Sequence, residues 1–278
     1  MLPIVQILGL PFLACILMSS ILGYLGIHVL KREVIFIDIA LAQIAAVGSI
    51  IAHLAFEVHG DSLVAYMCSL SCVLLTAIFY AVIRSKIFQI SLEAIIGISY
   101  AIAAASALFL VGIAPGGHIH VQHILSGSLL WTGWRDVVVS LLTFSAVGFC
   151  FCLIRKPLTK ISNGSQQAFD KGITIILWDF IFYLLLGVVI TISVQIGGIV
   201  VVFAYLIIPA TISVIFSARL GVQLIIISTA AIVASIAGLS FAYYLDFSIG
   251  PAIALFLGCE LIIVALINKF RQFNCTSG

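Results

Sequence analysis

Charge is what this sequence has least of. Only 8% of its 278 residues are Asp, Glu, Lys or Arg, against about 25% in a soluble globular chain. So few charges cannot keep a chain of this length in water. Nucleotide loops are missing too. No GxxxxGK[ST] occurs, so no P-loop is present to bind ATP, and no GxGxxG dinucleotide fingerprint occurs either. The absence of HExxH and GxSxG leaves a metalloprotease or serine-hydrolase reading unsupported. Seven cysteines are scattered, mostly through apolar stretches, with no CxxC among them. They read as small packing residues rather than a disulfide framework. The net charge of +2 and the lack of a long basic run exclude nucleic acid as a partner.

What is there is apolar residue, 64% of the chain. About 20 consecutive apolar residues cross the roughly 30 Å of hydrocarbon in a bilayer. Runs suited to this lie at 4–28, 34–56, 62–83, 94–113, 136–154, 173–196, 197–217, 221–245 and 250–268. The expected architecture is therefore an all-α polytopic membrane protein of eight or nine crossings, a single transmembrane domain over 1–278. The count turns on 197–217, which follows Gly197-Gly198 and contains Pro209. That run is either a full crossing or a broken, re-entrant one. The first run has no Lys or Arg before it, so it reads as a retained span rather than a signal peptide.

The positive charges sort by side. Lys31 and Arg32 follow the first run, Arg84 and Lys86 the third, and Arg155, Lys156, Lys160 and Lys171 the fifth. Arg219 follows the seventh, and Lys269 and Arg271 the ninth, leaving Arg135 alone on the other side. An excess of Lys and Arg marks cytoplasmic loops. The expected orientation is N-terminus outside and C-terminus in the cytoplasm. The longest cytoplasmic connection, 155–172, is too short to be a nucleotide-binding domain.

Ionisable groups inside a bilayer are costly and tend to be functional. In the second run, Asp38 lies roughly 9 Å past Arg32 and Gln43 lies near the midplane, at 1.5 Å per residue. His53 comes near the outer end of the same helix. Asp38 either lines a substrate path or pairs at the interface, and Gln43 either contacts substrate or bonds another helix. Asp179 and Glu260 read as helix-to-helix partners. The stretch GGHIHVQHILSG places His118, His120 and His123 within six residues on the outer side. Imidazoles of that density suit Zn, Cu, Fe or Ni. They form either a capture site for metal or a polar loop.

Two stretches carry a family resemblance: LKREVIFIDIALAQIAAVGSIIAHL at 30–54 and VQIGGIVVVFAYLIIPATISVIFSARLG at 194–221. SLEAIIGISYAIAAASALFLV, HILSGSLLW, AFDKG and YYLDFSIGPAIALFLG extend it in order over nearly the whole chain. Together they resemble the permease subunit of metal ABC importers, the zinc, manganese and iron group called ABC-3. The resemblance implies a pair of permeases packed around a central path in a bacterial plasma membrane. It also implies ATP hydrolysis on a separate ATPase subunit, and an extracytoplasmic metal-binding protein that delivers the ion. By the same resemblance Pro209 to Gly221, with Ala210, Ser217 and Arg219, is the segment that docks on the ATPase, and Pro209, which lacks a backbone donor, is expected to break the helix there. The transported ion would be Zn, Mn or Fe, and the permease itself no enzyme.

The resemblance departs at one place. Members of that family commonly carry Asp and His four residues apart in the second span as metal ligands. The aligned positions here are Ile39 and Gln43, with Asp38 one residue earlier and about 100° around the helix. Either Asp38 and Gln43 form a modified site, or the path binds its ion weakly. Two alternatives stand beside metal import. One is a permease for chelated iron or a cobalamin-like ligand. The other is a proton-coupled carrier that uses Asp38, Asp179 and Glu260 as a relay.

Overall fold

The computed structural model describes residues 2–56, 62–86, 90–113, 129–154 and 172–276. Nine helices carry those residues, each long and apolar enough to cross a bilayer. They are α1 (Leu2–Lys31), α2 (Ile37–Phe56), α3 (Leu63–Lys86), α4 (Leu92–Ile113), α5 (Trp134–Leu153), α6 (Gly172–Gly197), α7 (Ile199–Phe216), α8 (Leu220–Leu245) and α9 (Ile249–Thr276). A single turn of 3-10 helix, Leu129–Trp131, precedes α5. No strand occurs among the described residues. A backbone buried in hydrocarbon must satisfy its own hydrogen bonds, and helices do so within one segment.

α7 lies at the centre. Its sequence, IVVVFAYLIIPATISVIF, is apolar on every face, and a helix of that kind is a buried one. α1, α8 and α9 pack around it, with α6 and α2 adding smaller contacts. On the other side of α6, the helices α3, α2 and α4 pack in succession.

α6 and α7 form a hairpin that turns back inside the bundle. Gly198 makes the turn with φ +80 and ψ 164, a conformation open to glycine and strained for any residue with a Cβ. Beside it, a Cβ built on Gly197 would lie 3.3 Å from the Met18 methyl of α1. Met18 is ~20 Å along α1 from Lys31, and α1 runs on ~15 Å beyond it to Leu8. From this turn α7 runs parallel to α1. A Cβ on Gly26 would stand 1.8 Å from the Leu206 carbonyl oxygen, so the two backbones touch there. The seventh run is thus a helix that starts deep in the bundle and returns to the end carrying Lys31.

That end is tied together by charge. Asp179 of α6 is 1% exposed, and its Oδ1 accepts from Arg32 Nη1 at 2.6 Å and from Arg84 Nη1 at 3.2 Å. Arg84 also donates to the Tyr183 hydroxyl at 3.3 Å. The Arg32 guanidinium lies 4.0 Å from the centroid of the Phe182 ring. One carboxylate therefore joins the ends of α1 and α3 to α6, as expected of Asp179 as a helix-to-helix partner.

Replacing Asp179 with Ala strands two arginines away from water. Loss of one partner from a buried pair costs about 3–5 kcal/mol. Thermal unfolding in detergent should show a large loss for Asp179→Ala. Arg32→Gln should cost more than Arg84→Gln, because the Arg32 side chain is fully enclosed and that of Arg84 is 17% exposed. Gly26→Val should prevent α1 and α7 from docking, seen as loss of a folded monodisperse species. Gly9→Val, where a Cβ meets nothing within 4 Å, should leave the protein intact.

Candidate functional site

α2 begins after a tight turn in which Glu33 has φ +55. The Phe36 amide donates to Glu93 Oε1 at 3.1 Å, which fixes the start of α4 to this turn. From here α2 has two unlike faces. Asp38, Leu41, Ala42, Ala45, Ser49 and Ala52 are buried. Ser69 of α3 donates to the Ala45 carbonyl at 2.8 Å on that side. Phe36, Ile39, Gln43, Val47 and Ile51, spaced three and four apart, form a stripe left partly or fully open.

The structure therefore separates the polar residues of α2. Ile39 and Gln43 share the open stripe. Asp38 is 2% exposed and faces the interior, about 140° from Gln43 around the helix. Asp38 Oδ1 is enclosed and has no hydrogen-bond partner. The Asp38 and Gln43 side chains do not converge on one point of the stripe. His53 is half-buried near the far end of α2, off that stripe. His118, His120 and His123 lie outside the described residues. Among those described, no group of three His, Cys, Asp or Glu is placed to hold a metal ion.

A second open stripe runs beside the first. On α7, Val200, Phe203, Ile207, Thr211 and Val214 are the residues left partly or fully uncovered on one face. Phe203 stacks on Phe36 with centroids 6.4 Å apart and planes 8° from parallel. The Thr211 hydroxyl donates to the Ile207 carbonyl at 2.8 Å and so is turned onto its own helix. Gln43 is then the side chain of these two stripes with hydrogen-bonding capacity to spare. An amide facing hydrocarbon without a partner costs several kcal/mol. The face built from α2 and α7 is accordingly one that protein or an aqueous path must cover.

At the Lys31 end, the expected coupling residues occupy two environments. Pro209 does not break the helix, contrary to the expectation from its missing amide. α7 continues through it to Phe216. A proline deprives the carbonyl four residues earlier of its donor, but here Pro209 and Ala210 are themselves buried in the bundle. Ala210 is fully buried and clusters with Ile27 and Ile227. The change of direction comes at Ser217–Arg219. There Ser217 Oγ accepts from the Arg219 amide at 3.1 Å, and the Ser217 carbonyl accepts from Gln223 Nε2 at 2.8 Å. Arg219 is exposed, and Gly221 has nothing within 4 Å of a Cβ position.

Sequence reasoning passed over one polar group at the centre. Tyr205 of α7 and Ser235 of α8 share a hydrogen bond of 2.6 Å, both fully buried. Glu260 of α9 is half-buried. Its Oε2 is enclosed without a partner, so unlike Asp179 it ties no second helix through that atom. Only the presence of a Tyr in so apolar a run could have flagged this spot.

Comparison with known proteins places the fold. The model of the ABC 3 transport family matches residues 5–269. The chain is 26% identical over 242 residues to the manganese transport system membrane protein MntC of Halalkalibacterium halodurans, covering 87% of this chain and 80% of that one. It is 26% identical over 201 residues to the manganese import system permease protein ScaB of Streptococcus parasanguinis, covering 72% and 71%. Its structure is similar to PsaBC from Streptococcus pneumoniae in complex with Fab, with a TM-score of 0.77 at 20% identity over 94% of this chain and 92% of that one.

Proposed function

The chain belongs to the ABC 3 transport family, and we propose that it is the transmembrane permease subunit of an ATP-driven importer for a divalent metal ion, with manganese ahead of iron and zinc. One observation carries the reading to this chain's own residues: the half-open face of α2 and α7 with the Gln43 amide on it. Two copies, or this chain and a second permease, set face to face would close those stripes into a path. The end holding Lys31, Arg32 and Arg84 is then cytoplasmic by the excess of positive charge there, with the C-terminus on the same side, in a bacterial plasma membrane. An extracytoplasmic metal-binding protein supplies the ion from the other side.

ATP binds and is hydrolysed on a separate ATPase subunit. Ser217–Arg219 is where that subunit acts. α7 is a stiff rod between this turn and the Gly198 reversal, and its open stripe faces the path. Displacement of the turn therefore swings α7 against α2, opening the path first to one side and then to the other. Asp179 and its arginines hold α1, α3 and α6 as the fixed frame for the swing. A proton relay through Asp38, Asp179 and Glu260 has no comparable support, because Asp179 is clamped between two arginines.

Gln43 stands where the family places an imidazole. Its carbonyl oxygen suits a harder ion such as Mn better than Zn, in keeping with the manganese transport named for the two relatives above. Gln43→Leu should reduce metal accumulation at limiting supply by about tenfold or more, with membrane insertion and ATPase association unchanged. Gln43→His should shift competition between the ions toward Zn. Normal uptake of Mn, Fe and Zn in cells lacking the gene would overturn the assignment. Arg219→Glu should lower copurification of the ATPase and metal uptake together. Retention of both would remove this turn from the coupling path.

A further inference from the structure

α5 and α8 each pack on α1 but scarcely meet one another. Between them runs a groove of about 580 Å³, lined among others by Leu17, Tyr24, Phe144, Gly148, Cys152 and Gly221. Its cause is in the sequence. Gly148 of α5 and Gly221 of α8 present no side chain. A Cβ on Gly148 would meet only the Ile21 methyl at 3.8 Å, and a Cβ on Gly221 would meet nothing. The small residues Ser20 and Ser145 widen it further. Ser20 turns its hydroxyl onto the Ile16 carbonyl at 2.6 Å, so it offers little to a polar ligand.

The groove has the dimensions of one leaflet. On α5 it extends from Leu141 to Cys152, ~16 Å of helix at 1.5 Å per residue. Half of a ~30 Å hydrocarbon core is ~15 Å. It begins near the middle of α1 and finishes at Leu220 and Gly221, the first residues of α8, at the basic end of the bundle. Arg219, the residue before Leu220, is exposed and makes no ion pair among the described residues.

We propose that this groove is a binding site for an anionic phospholipid of the leaflet at the basic end, its acyl chain lying between α1, α5 and α8 and its phosphate at Arg219. An open apolar slot one leaflet long, inside the bilayer, takes hydrocarbon rather than water. The unpaired guanidinium next in the chain to Leu220 selects a negative headgroup. The site lies directly against the Ser217–Arg219 turn, so the lipid would brace the start of α8 where α7 ends. The inference depends on the helices spanning a membrane and not on which ion is transported.

The test uses the full-length chain in nanodiscs of equal phosphatidylglycerol and phosphatidylcholine, followed by native mass spectrometry of lipids that survive release. One phosphatidylglycerol per chain should be retained. Gly148→Leu and, independently, Gly221→Leu should each expel it by filling the groove, while Gly148→Ala should keep it. Arg219→Gln should weaken the preference for phosphatidylglycerol about fivefold, the worth of one basic residue near an anionic surface. Equal retention of both lipids, or retention by both leucine variants at unchanged thermal stability, would overturn the proposal. So would conversion of a dimer to a monomer by Gly148→Leu, which would make the groove an interface between copies.

Discussion

The bundle depends on where one carboxylate can go. Asp179 is buried in α6, and a lone charge there would not be tolerated in so apolar a chain. It is tolerated because Arg32 and Arg84 arrive from the ends of α1 and α3. The ring of Phe182 lies against Arg32, and the Tyr183 hydroxyl accepts from Arg84. This arrangement fixes depth as well as contact. A slip of any of the three helices by one turn, ~5.4 Å, would leave a charge unpaired in a medium that cannot solvate it. The packing above that level is mostly aliphatic and offers little to specify register on its own.

With α1 and α6 fixed, the position of α7 follows. The close approach at Gly26 allows α7 to lie backbone to backbone with α1. The Gly198 turn returns the chain beside Met18 rather than at the far end of α1. The consequence is a central helix whose two ends differ. One is anchored inside the bundle. The other emerges at the basic end beside the exposed Ser217–Arg219 turn. Its uncovered stripe lies next to that of α2 through the Phe36–Phe203 stack.

Much of this was legible in the sequence, and the physical reason is plain. Hydrocarbon demands long apolar helices, so their number and rough limits can be read from composition. The runs at 34–56 and 221–245 agree with α2 and α8 to within a few residues. The depth of the Gly197-Gly198 turn could not be read, because a run of apolar residues does not say what stands beside it. Pro209 misled for a related reason. The penalty of a missing amide is local, and the packing that overrides it is not. The site was half visible. Gln43 was picked out as a polar group at mid-depth, and the structure places it on an open face. Asp38 was picked out by the same rule, but its orientation depends on where α3 and α4 pack. The partnership of Asp179 with Arg32 and Arg84 joins positions 95 and 147 residues apart, beyond the reach of any spacing rule.

The placement of α7 also constrains how the protein is made. Its neighbours are α1, already in the membrane when α7 emerges, and α8 and α9, which do not yet exist. A helix this apolar can enter the bilayer unaided, but its final socket is completed only by the last segment of the chain. α8 brings Ser235 to the Tyr205 hydroxyl, and the side of α7 that packs on α9 stays uncovered until the last segment arrives. A chain lacking its C-terminal helix would therefore carry its central helix with one side unpacked.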